Sequence, residues 1–108
     1  MIKQIVIINN SLGMSKGKMV RVGLMLGYLT EQVLTKKKKL MWTINQNKAV
    51  VLKADNYEEL LEKLDQENIK YKSHIDAGIT SVTPGSNCGC TFFCLDSQCK
   101  FLEELKLL

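Results

Sequence analysis

Every residue from Ile5 to Ile8 is apolar and β-branched (IVII). An unbroken run of this kind predicts a strand covered on both faces, because a half-exposed strand would alternate apolar with polar residues. A polar turn, NNSLG, follows it. From about Ser15 the apolar positions take up helical spacing through Leu34, with Gly23 and Gly27 four apart and so on one face, where a neighbour could pack closely. Lys36 to Lys39 interrupts the pattern and reads as a solvated loop, and Leu40 to Ile44, which carries Trp42, predicts a short second helix. Ala49 to Lys53 (AVVLK) reads as the second strand. In DNYEELLEKLDQEN, Asp55 is the expected N-cap with Glu58 three residues on, and Tyr57, Leu60, Leu61 and Leu64 form one apolar stripe. Tyr71 to Ile75 and Cys90 to Leu95 read as third and fourth strands with a Pro84-Gly85 turn between them. Ser97 to Leu108 predicts a closing helix with Phe101, Leu102 and Leu105 inward.

Strands alternating with helices predict an α/β fold, a three-layer α/β/α sandwich around a four-stranded mixed sheet, with right-handed crossovers between parallel neighbours. In open sheets of this type, sites lie beyond the C-terminal ends of the strands. Two loops meet that condition. LGMSKGK, residues 12–18, follows the first strand, and DAGIT, residues 76–80, follows the third. Their charges are opposite, so Lys18 and Asp76 are expected to face each other over one sheet edge.

Length and composition narrow the class. A chain of 108 residues fits one domain, 1–108, able to bury a core of its own. With 45% hydrophobic residues and a single proline the composition is globular rather than disordered. The longest apolar run, Met19 to Leu29, is broken by Arg21 and falls short of the roughly 18–20 residues of a membrane span. No signal peptide is recognisable, which points to a cytoplasmic chain without a membrane partner. On that basis Cys88, Cys90, Cys94 and Cys99 are expected to be reduced thiols. Along one strand Cys88, Cys90 and Cys94 would spread over about 20 Å, too far for one tetrahedral ion, so no metal site is expected. Homodimerisation is left open.

Charge adds a direction. Residues 1–53 hold ten Lys or Arg against one acid, giving +9, while residues 54–108 hold five against ten, giving −5. The first half is the side for a phosphate-bearing partner, with Lys16 in the loop and Lys36, Lys37, Lys38 and Lys39 as candidate nucleic-acid contacts. Such a lysine run is more often just a solvated loop.

The order LGMSKGK, AVVLKA, a DxxEELLE-type helix, DAGIT, PGS and a closing LKLL resembles the archaeal and eukaryotic type of peptidyl-tRNA hydrolase over nearly the whole chain. The spacing of DAG-x-T and PGS is the most specific part. The resemblance implies hydrolysis of the ester between a peptide and the 3′-terminal ribose of tRNA, without metal or other cofactor, with peptidyl-tRNA as the partner. It makes Lys18 the active-site lysine, Asp76 the carboxylate that orients water or lysine, and Thr80 a hydroxyl of the same site. Taken without it, Lys18 reads as a loop cation and Asp76 as a turn residue beside Gly78.

The departures from the family pattern matter as much. Where the family carries A-A-Q-C-S-H-A this chain reads VRVGLML, placing Val22 and Met25 at the glutamine and histidine positions. Neither transfers a proton. Ile79 stands where the family has arginine, and Cys88 where it has a threonine. The alternative is therefore a catalytically weakened relative that holds tRNA or a protein. The lone His74, two residues before Asp76 and so on the same strand face, could replace the missing histidine.

Overall fold

A computed structural model of the chain describes residues 1–76, 85–98 and 100–108. Its elements run β1 (Ile2–Asn9), α1 (Lys16–Tyr28), α2 (Lys36–Ile44), β2 (Ala49–Ala54), α3 (Tyr57–Gln66), β3 (Lys72–Ile75), β4 (Asn87–Leu95) and β5 (Lys106–Leu107), with short 3-10 turns between them. The described strands form one open mixed sheet of five, not four, in the order β3-β4-β1-β2-β5. β1 pairs with β2 in parallel, while β4, β3 and β5 join antiparallel to their neighbours.

The β-branched run makes β1 the centre of the sheet, and its alternation divides the core. Ile5 and Ile7 join a cluster with Tyr57, Leu60 and Leu64 of α3 and Phe92 of β4. Val6 and Ile8 join another with Val22 and Leu26 of α1 and with Cys88. Gly89 is required where these parts meet, because a Cβ there would sit 2.6 Å from the Ile7 carbonyl oxygen and 3.2 Å from Leu26. Beneath the far end of α1, the buried Gln4 amide donates to Thr30 at 2.6 Å and Thr91 at 3.1 Å. α2 docks through Trp42, whose ring meets Phe93 edge to face at 5.0 Å.

Several local expectations are corrected. α1 stops at Tyr28, and a 3-10 turn, Leu29–Gln32, takes the chain on. Lys36 to Lys39 is helix rather than loop: Thr35 accepts from the Lys38 N–H at 3.2 Å and starts α2 there. The cap of α3 is Asn56, not Asp55: its side-chain oxygen accepts from the Glu59 N–H at 3.4 Å, and its side-chain amide donates to the Glu59 carboxylate at 2.8 Å. Gly23 and Gly27 make no close contact among the described residues, where a Cβ on either would meet nothing within 4 Å. The C-terminal helix does not form. Residues there make 3-10 turns, Asp96–Gln98 and Lys100–Glu104, and then β5, which covers the edge of β2 with Leu107 opposite Leu52. Cys94 is disulfide-bonded, against the expectation of reduced thiols throughout, while Cys88 and Cys90 are free. No described helix is long and apolar enough to cross a membrane.

Candidate functional site

The loop after β1 is wound tightly before it delivers Lys18. The Asn9 side chain accepts from the Ser11 N–H at 3.1 Å and opens a 3-10 turn, Asn10–Leu12. Gly13 then adopts φ 62°, a left-handed conformation that favours glycine. Ser15 caps α1 by accepting from the Lys18 N–H at 3.2 Å, which fixes the lysine in the first turn. Its long apolar stem turns inward, and the whole residue is buried, at 6% exposure.

Asp76 arrives from the other side on the end of β3. His74 opposes Gly89 and Ile75 opposes Asn87, which leaves Cys88 as the extra residue of a β-bulge. A bulge twists and re-aims the strand it interrupts. Beyond it the Asp76 N–H donates to the Ser86 carbonyl at 2.9 Å, and the Gly85 N–H donates to the Asp76 carbonyl at 2.9 Å. The carboxylate so held accepts from Lys18 Nζ at 2.6 Å, with the two side chains only 4% and 2% exposed. The two loops of opposite charge therefore meet over one sheet edge, across 58 residues of sequence.

Two further groups lie in the field of this pair. Burial, then the cations Arg21 and Lys18, push the His74 imidazole below its ordinary value, while Asp76 pulls it back. Burial raises the Cys88 thiol, with Lys18 opposing and Asp76 adding to the rise. Sequence reading passed over Arg21, although it lies three residues after Lys18 and hence on a neighbouring part of the same helix face. It passed over the local meaning of Cys88 because a bulge leaves no mark in apolar periodicity.

Of the other candidates, Thr80 and Ile79 lie outside the described residues. Lys16 is exposed in the first turn of α1. Lys36, Lys37, Lys38 and Lys39 are exposed at the start of α2 and do not join Lys18. α1 runs back along β1, as the Gln4 to Thr30 bond requires, and its length of roughly 20 Å separates the lysine run from the buried pair. Lys39 also engages Glu31 at 3.3 Å on the surface.

Among the described residues, a buried lysine-carboxylate pair thus lies beyond the ends of β1 and β3 of an α/β sheet. The family model described as Peptidyl-tRNA hydrolase PTH2 matches residues 2–108, and the chain belongs to that family. A search of curated proteins gives no match.

Proposed function

We propose that this chain is a cytoplasmic peptidyl-tRNA hydrolase, cleaving the ester between a peptide and the 3′-terminal ribose of tRNA. The observation that carries the reading is the 2.6 Å contact between Lys18 and Asp76, at the strand ends where such folds place their sites. Ester hydrolysis needs a placed water, a route for its proton and positive charge near the developing oxyanion. In this reading the Lys18 ammonium supplies the charge, Asp76 orients the lysine and the attacking water, and Thr80 adds a hydroxyl. Lys16 and the lysines of α2 contact tRNA phosphates, the latter one helix length away, a span that suits an extended acceptor stem. The test is release of peptide from peptidyl-tRNA by the purified chain, with Asp76→Asn expected to lower the rate on the order of 10²-fold or more.

A second reading has its own observation. Val22, at the position of the family glutamine, is fully buried in the α1 cluster and has no proton to give. In a retired relative that binds tRNA without cleaving it, Lys18→Ala lowers affinity, and Asp76→Asn leaves affinity unchanged or raises it as a repulsive charge disappears.

A further inference from the structure

His74 is the chain's single histidine, and the hydrolase reading leaves it without a task. Its Nε2 is buried and makes no hydrogen bond, the one side-chain atom in that condition among the described residues. Leaving such a group unpaired is costly, and native chains rarely do so without a use. His74 pairs with Gly89 across β3 and β4, and Gly89 faces α1 through its approach to Leu26. Directly paired residues share a sheet face, so the imidazole projects toward α1, on the side from which Lys18 reaches Asp76.

We propose that His74 is the general base of the site, taking through Nε2 the proton of the water that attacks the ester. This rests on the hydrolase reading and deepens it. The water oxygen bonds to the ester carbonyl carbon while Nε2 receives the proton, and the negative charge on the carbonyl oxygen is met by Lys18. Collapse of the tetrahedral intermediate breaks the bond to the ribose 3′-oxygen. The imidazolium returns its proton to that oxygen, leaving a 3′-hydroxyl on tRNA and a carboxyl group on the peptide.

The electrostatics suit the task. Lys18 and Arg21 from α1 disfavour the imidazolium, Asp76 from β3 favours it, and the Cys88 thiol of β4 is held protonated by burial. The first influences prevail with burial, so the imidazole is neutral at pH 7 and ready to accept.

The chain's single histidine makes the test direct, because its imidazole signal in proton NMR needs no assignment. The cleavage rate of the wild-type chain is expected to rise with pH and level off, with a midpoint below 6.5 that matches the NMR titration of His74. Arg21→Gln should move both midpoints upward together. His74→Gln should keep the fold and tRNA affinity, lose on the order of 10²-fold in rate, and lose the acid limb. A kinetic midpoint that departs from the NMR value, or a His74→Gln variant with the wild-type rate and limb, overturns the assignment of the base alone. A wild-type chain that releases no peptide at any pH overturns the hydrolase reading itself.

Discussion

The Lys18 to Asp76 contact makes a quantitative demand on stability. At 2.6 Å and an effective dielectric near 20, the gross attraction is about 6 kcal/mol, largely offset by the cost of taking both charges out of water. The net worth of the intact pair is consequently small. Breaking it is different: Lys18→Met leaves a carboxylate in a site where its side chain is 2% exposed, and the expected loss is about 3–5 kcal/mol. For a domain of this size each kcal/mol moves the midpoint by roughly 4 °C or more, so Tm should fall by about 12 °C or more. Asp76→Leu should cost a similar amount by stranding the ammonium. The double variant Lys18→Met with Asp76→Leu should cost clearly less than either single change, because a buried pair exchanged for apolar groups is often close to neutral. Urea unfolding of the four chains measures the cycle. Single losses under ~1 kcal/mol that simply add would mark an exposed pair and refute the buried geometry.

Other consequences follow from the same structure. Folding stability should decline as pH drops below 6.5, because His74 is depressed in the folded chain and the unfolded chain takes up the proton first; His74→Gln should flatten that part of the urea midpoint against pH. Burial pushes the Cys90 thiol up to about 12 and raises Cys88 as well, so both should react with iodoacetamide far more slowly in the native chain than in denaturant, as mass spectrometry would register. If Lys16 and Lys36 to Lys39 make three to five phosphate contacts, tRNA affinity should fall with salt at a slope of roughly −3 to −4.5 on duplex regions, and serine at 36–39 should flatten it; an unchanged slope removes those lysines from the interface. Adding a β-carbon at Gly89 should cost several kcal/mol or abolish folding, because the clash at 2.6 Å is with the Ile7 backbone, which cannot step aside.

The parts of the fold that the apolar pattern alone dictates were legible. The IVII run of β1 is unbroken and the Tyr57, Leu60 and Leu64 stripe of α3 follows the helical period, and both lie in the core. Misreadings arose where two local signals competed. Asp55 with Glu58 and Asn56 with Glu59 both fit a capping box, and only the backbone entry into α3 selects the second. The lysine run reads as a loop because four adjacent like charges interrupt the apolar pattern, whereas the structure has Thr35 accepting from the Lys38 N–H and starting a helix there. At the C-terminus, Phe101, Leu102 and Leu105 suit a helix by spacing, but the exposed edge of β2 draws Lys106–Leu107 into the sheet and the Leu108 N–H donates to the Val51 carbonyl at 3.2 Å. No local pattern announces an unpaired edge. The reduced-thiol expectation rested on compartment, an argument blind to Cys94 and its disulfide.

The site divided in the same way. Strand order and charge placed Lys18 against Asp76, because the rule for strand ends is topological and both loops follow strands. The surroundings of the pair depend on the bulge at Cys88 and on the pairing of His74 with Gly89, neither of which periodicity encodes.

Whether the buried lysine and aspartate serve ester cleavage is decided by single-turnover release of peptide from peptidyl-tRNA by the wild-type and Asp76→Asn chains. Release by the wild type is expected well above the buffer rate, with a loss on the order of 10²-fold or more in the variant while tRNA remains bound. Equal release by both chains, or none by a folded wild type that binds tRNA, would contradict that role.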